Sequence, residues 1–193
     1  MLDKFKEQVN KLLDEENYQE VYDLCQSELN RLNSKSSGFS DEERFYMANI
    51  YCILSQILQP EGALESLDCA INILPNNADL YMRRAIVKEF MQDFQGAIDD
   101  LTTVLEGEPK IEAYGRRGNL RANIGDLDGA AEDFKAIFKL NPDDIAAKRS
   151  YISIKNLQSQ NGLSCMQCTL KTGEEVLRFI IDGDVIDIPA EQY

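Results

Sequence analysis

The sequence predicts an all-α fold, a solenoid of antiparallel helix pairs closed by a capping helix, with a small β-hairpin appended near the C-terminus. Three observations predict it. Pro75, Pro109 and Pro142 stand 34 and 33 residues apart, and three other columns keep that ruler: Ala63, Ala97, Ala130; Leu67, Leu101, Phe134; and Ala70, Val104, Ile137. Within each period the apolar residues recur at helical spacing in two runs split by a turn, so each unit reads as two short amphipathic helices. The stretch EEVLRFIIDGDVIDIP instead holds two β-rich runs around Asp182-Gly183, a dipeptide that favours the tight turn of a hairpin.

The elements follow in order. A degenerate first pair spans about 2–32, with Phe5, Val9 and Leu12 on one stripe and Tyr18, Val21, Cys25 and Leu29 on the next. The Ser-rich segment from Asn33 to Asp41 lengthens the connection to a second pair, about 42–75, which carries Pro60 at its inner turn. The third pair covers about 78–109 and the fourth 111–141, broken at Gly125-Asp126. Gly118 and Ala130 are small where the two helices of the fourth pair must cross closely. Asn141-Pro142 ends that pair and offers Asn as the cap of a further helix, 143–158. These elements make a helical repeat domain over 1–160, and Asn161-Gly162 marks the boundary of an appendage over 161–193. A lone hairpin is marginal in water, so it should pack on the capping helix or pair with another chain.

In the fourth unit Tyr114, Gly118, Ala130, Phe134 and Pro142 fall in the order of a known signature, and Tyr81, Ala85, Ala97, Leu101 and Pro109 repeat it one unit earlier. Met47, Tyr51, Ala63, Leu67 and Pro75 follow it more loosely. On these residues the chain resembles the tetratricopeptide repeat family over about its first 160 residues. The resemblance implies a right-handed superhelix whose first helices line a concave groove and whose second helices form the convex back. It also implies a module that binds protein rather than a catalyst.

Composition bounds the chemistry. At 44% hydrophobic and 28% charged the 193-residue chain is too apolar to be disordered. No apolar run approaches the roughly eighteen residues of a membrane span, and the charged N-terminus lacks a secretory apolar core, so no membrane association and a cytoplasmic location are expected. A formal net charge of −14 repels nucleic acid, which binds through clustered Lys and Arg. There is no histidine, which removes the usual general base, the common nucleophile pairs and the commonest metal ligand. No enzyme activity and no cofactor are therefore expected.

The candidate site is a peptide groove. Arg83 and Arg116 occupy equivalent places, as do Arg84 and Arg117, which is unexpected in so acidic a chain. Guanidinium groups grip carboxylates bidentately, so Arg83 and Arg116 suit an acidic peptide. Arg84 and Arg117 take places the family usually fills with apolar residues, and pairing with Asp99, Asp100, Glu132 or Asp133 within the repeats is expected of them. Asn119 and Asn123, on the same first helix as Arg116, complete that part of the groove. A sharper resemblance is to the co-chaperone-like subset that holds acidic chaperone tails in a two-carboxylate clamp. Lys6, Asn10, Asn49 and Arg83 match its places, whereas Asp79 stands where the subset has a lysine and would repel such a tail.

Two other readings remain open. Cys165-Met166-Gln167-Cys168 is a lone CxxC, half of a zinc site or a redox pair at most; without histidine or a second pair, two plain thiols is the reading favoured. The apolar strands 176–181 and 185–188 could instead pair chains into a homodimer through an exposed edge, giving a structural or assembly protein. An acidic inhibitory protein that masks a basic partner is a variant of that view. The expected partner is another protein bound through a peptide segment, in the manner of an adaptor.

Overall fold

A computed structural model describes residues 2–35, 38–159, 165–169 and 175–192, with the backbone only for 165–169. Among these residues the chain divides into two compact units, Met1–Asp93 and Phe94–Tyr193.

The first unit holds α1 (Leu2–Asp14), α2 (Tyr18–Asn33), α3 (Asp41–Ile57), α4 (Pro60–Ile73) and α5 (Ala78–Phe90). Local chemistry sets most of the ends. Asn17 caps α2 by accepting from the Glu20 amide, and Ser40 and Glu43 form a reciprocal capping box at α3. Asp41, Glu42 and Glu43 fill the first turn of α3, where the exposed helix amides favour negative charge. The turns after α1 and α5 use a left-handed residue, Glu16 (φ 53°) and Gln92 (φ 63°). In each, the next amide reaches back to the helix, from Asn17 to the Leu12 carbonyl and from Asp93 to that of Lys88. The α3–α4 turn differs because Pro60 sits at the first helical position and holds Gln59 extended at ψ 160°.

Phe5, Val9, Val21, Cys25, Leu29, Tyr46, Ile50 and Leu54 form the core of α1–α3, with Phe5 edge-on to Tyr46 at 5.4 Å. Tyr18, expected on the second stripe, is instead 53% exposed, because it opens α2 before the helix reaches that core. Burial pushes the Cys25 thiol up to about 12.

The second unit holds α6 (Phe94–Gly107), α7 (Ile111–Asn123), α8 (Leu127–Leu140) and α9 (Ile145–Gln158), then strands β1 (Cys165–Thr169), β2 (Glu175–Ile181) and β3 (Asp184–Pro189) and a short 3-10 turn, Ala190–Gln192. Gly125 (φ 86°) makes the α7–α8 turn in the same left-handed way. A Cβ on Gly118 would meet the Phe134 ring at 3.2 Å and the Asp133 Cβ at 3.3 Å, so glycine is what lets α7 and α8 approach here. Asp144, not Asn141, caps α9 by accepting from the Ala147 amide at 2.9 Å. The Asn141 side chain turns instead to the Asp143 amide, which leaves Pro142 in the connection rather than in the helix.

Beyond α9 the expected hairpin is present and has a third strand. The sheet is antiparallel in the order β1-β2-β3. Ile181 pairs with Asp184 across a two-residue turn in which Asp182 (φ 52°) and Gly183 (φ 85°) are both left-handed, as a twist-matched hairpin turn requires. Phe179, Ile181, Ile186 and Ile188 bury one face of the sheet in a common core with Phe134, Ile137, Tyr151 and Ile152 of α8 and α9. Lys135 pairs with Asp184, Lys155 Nζ lies 2.8 Å from Asp182 Oδ2, and Lys148 Nζ donates to the Asp187 carbonyl at 3.4 Å. The sheet is thus a clasped part of this unit. The CxxC falls on β1, where Cys165 pairs with Phe179 and Cys168 with Val176 in register. The side chains of Cys165 and Cys168, and the Asn161-Gly162 pair, lie outside the described residues.

No helix among the described residues is long and apolar enough to cross a membrane.

Candidate functional site

In the first unit a cavity of about 390 Å³ opens between α1, α3 and α5. Lys6 and Asn10 reach it from α1, Asn49 from α3, and Asp79 and Arg83 from α5. Helical spacing explains the set: Lys6 and Asn10 are four apart on one face, as are Asp79 and Arg83. Val9 and Leu80, both 2% exposed, anchor the lining to the core. Lys6, Asn10, Asp79 and Arg83 are exposed and Asn49 is half-buried.

The charges of this cavity converge on Cys52, which also lines it. Burial raises the Cys52 thiol; Arg83 and Lys6 pull it down and Asp79 pushes it up. Two cations and one carboxylate leave the wall with a net positive charge. Asn49 Nδ2 donates to the Phe45 carbonyl at 2.7 Å, and since a carboxamide nitrogen carries two hydrogens, one N–H remains for a ligand. Gln56 lies on the same wall and was missed by the sequence reasoning, although it stands seven residues after Asn49, two helical turns along the same face.

The remaining candidates lie in the second unit. Arg116 Nε is 3.3 Å from Glu112 Oε1, one turn back on its own helix. Asn119 lines a separate cavity of about 350 Å³ with Arg149, Ser150 and Ser153 of α9. Asn123, the last residue of α7, is exposed and lines neither cavity.

The other arginine column is structural. Arg117 Nη2 lies 2.6 Å from Asp133 Oδ1 and its Nε donates to Oδ2 at 3.0 Å, while Arg121 Nη1 donates to the same Oδ2 at 2.9 Å. Asp133 is 1% exposed, so this is a buried carboxylate neutralised by two guanidiniums. Arg84 Nη1 pairs with Asp68 Oδ1 at 2.7 Å, a residue of the preceding helix that the sequence had not singled out. Arg84 and Arg117 also lie over Tyr81 and Tyr114, at 5.4 and 5.8 Å from the ring centroids. Among the described residues no group of three or more Cys, Asp or Glu side chains could hold a metal ion.

No protein-family model matches the chain. The DnaJ homolog subfamily C member 3 of Bos taurus is 36% identical over 93 residues, which are 48% of this chain and 18% of that protein. The serine/threonine-protein phosphatase 5 of Rattus norvegicus is 26% identical over 124 residues, 64% of this chain and 24% of the enzyme. The chain therefore spans about a fifth to a quarter of the length of these relatives. A tetratricopeptide repeat protein from Parabacteroides merdae superimposes with a TM-score of 0.68 at 17% identity, over 81% of this chain and 60% of that one. Helix pairs on a period of 33 to 34 residues, with glycine or alanine at the crossing, together with this superposition, give the chain the tetratricopeptide-repeat fold.

Proposed function

We propose that the chain is a protein-interaction module whose first unit holds a carboxylate-bearing peptide segment of a partner protein. The observation that carries this reading is that Lys6, Asn10, Asn49 and Arg83, from three successive first helices, line one cavity. A lysine, an arginine and two carboxamides supply donors and positive charge, a set suited to gripping carboxylates. The resemblance to chaperone-tail clamps and the name of the DnaJ homolog point to a co-chaperone-like adaptor. Asp79 on the same wall weakens the hold on a doubly charged tail and selects for a ligand with a single carboxylate near it.

The test is fluorescence anisotropy with an acidic peptide bearing a free C-terminal carboxylate and with its C-terminal amide. Arg83→Glu should abolish binding of the free acid while leaving the circular dichroism spectrum unchanged. Asp79→Asn should tighten it a few-fold, as expected for relief of an exposed like-charge contact. Equal binding by wild type and Arg83→Glu overturns the reading.

One observation favours a second reading. Ile180 and Val185 are cross-strand partners on the outer face of the sheet, and each is 59% exposed. This apolar pair would suit assembly of two chains, and a monomeric mass by light scattering at high concentration would refute that.

A further inference from the structure

We infer that the cavity between α7 and α9 of the second unit is a second acceptor site, one for a carboxylate side chain of an acidic peptide. The inference rests on the peptide-binding reading and extends it to a place with its own chemistry.

The cavity is lined by Asn119 from α7 and by Arg149, Ser150 and Ser153 from α9, over a floor that includes Phe134 and Ile154. Arg149 stands 33 residues after Arg116, itself 33 after Arg83, so the repeated arginine position of the sequence recurs in the capping helix. The lining holds donors and no carboxylate. That is unexpected in a chain with 34 acidic residues: three other cavities carry Asp79, Glu28, or Asp128, Glu132 and Asp182. Arg149 is exposed and has no ion-pair partner among the described residues, in contrast to Arg117, which Asp133 neutralises. A planar fork of N–H groups, a carboxamide and two hydroxyls can satisfy both oxygens of one carboxylate. Phe134 and Ile154, buried beneath, keep water from one side of it and so strengthen each charge-assisted bond. The volume of about 350 Å³ accommodates a side chain rather than a second domain.

The test uses the full chain and an N-acetylated, C-amidated tetraglutamate peptide, which has side-chain carboxylates but no terminal one. Nitrogen-edited NMR spectra should show peptide-dependent shifts at the Ser150 and Ser153 amides and the Asn119 carboxamide. Arg149→Glu should remove these shifts and weaken binding at the site at least about tenfold, the loss expected when a charged hydrogen bond is deleted and a repulsion put in its place. Ser153→Ala, a milder change on an exposed position, should weaken it several-fold. Arg83→Glu should leave the shifts intact, which separates this site from the cavity of the first unit. Shifts confined to other residues, or shifts unchanged in Arg149→Glu, overturn the inference. The same shifts produced equally by inorganic phosphate also overturn it, since that result marks a nonspecific anion site.

Discussion

Replacing Asp133 by alanine should markedly destabilise the second unit. Its carboxylate is 1% exposed and accepts from Arg117 at 2.6 and 3.0 Å and from Arg121 at 2.9 Å. Removing it leaves the Arg117 guanidinium, whose side chain is only 12% exposed, with Thr102 Oγ1 at 3.0 Å and the Tyr114 ring for company. Arg121 loses less, because it keeps the Gly129 carbonyl at 3.2 Å and Asp126 at 3.6 Å. Breaking a buried pair from one side costs about 3–5 kcal/mol, and the partial compensation at Arg121 puts the expected loss near the lower end, about 3 kcal/mol. Asp68→Ala is the internal control, for Asp68 is 50% exposed and its pair with Arg84 should contribute less than about 1 kcal/mol. With a urea dependence of about 2 kcal/mol per molar, Asp133→Ala should lower the unfolding midpoint by about 1.5 M and Asp68→Ala by less than about 0.5 M. Far-UV circular dichroism reads both. The double replacement Arg117→Leu/Asp133→Leu should recover most of the loss, since apolar pairs substitute for buried ion pairs at little cost. Equal, small shifts for Asp133→Ala and Asp68→Ala would refute the assignment of Asp133 as the charge centre of this unit.

Two further outcomes follow from the packing and the ion pairs. Gly118→Ala should destabilise by about 1 kcal/mol: overpacking costs about 1–3 kcal/mol, offset by up to about 1 kcal/mol of helix propensity. The new Cβ would press on Asp133, which its two arginines hold in place, so a stabilised Gly118→Ala protein would contradict the close crossing. The sheet clasp should loosen in acid. A hydrogen bond from Arg178 holds Asp187 below the usual carboxylate range, and one from Lys155 does the same for Asp182. Groups depressed in this way contribute stability that is present above the unfolded value of about 3.9 and lost as pH falls through the folded one. Amide protection of β2 and β3, corrected for intrinsic exchange, should therefore fall below about pH 4 and be unchanged from pH 5 to 8; equal protection at pH 2 and pH 5 would contradict the clasp.

What the sequence by itself determined is what neighbouring residues decide among themselves. The 33-to-34-residue ruler, the small residue at the α7–α8 crossing, the left-handed Gly125 and the Asp182-Gly183 hairpin turn all express backbone geometry or helical periodicity. Those rules act over a few residues and leave a mark in the chain. The candidate site was legible to the same extent: equal spacing gave Asn49 and Arg83 equivalent places, and helical phase accounts for both facing the first cavity.

The tertiary structure decided what depends on which of many similar groups comes to lie closest. Asp68 pairs with Arg84 at 2.7 Å, and nothing periodic distinguishes it among 34 carboxylates. Asn49 shares its amide with the Phe45 carbonyl, and Asp144 outcompetes Asn141 for the α9 cap, because small differences in local geometry settle such contests. The strand at 165–169 carries no alternating apolar pattern and exists through its register with β2. Above all, the docking of the sheet on α8 and α9 joins Lys135 to Asp184, Lys148 to Asp187 and Lys155 to Asp182, across separations of 27 to 49 residues. Contacts at such distances form only once the chain has buried Phe179, Ile181, Ile186 and Ile188 against the helices, and apolar burial has no direction that a sequence could record.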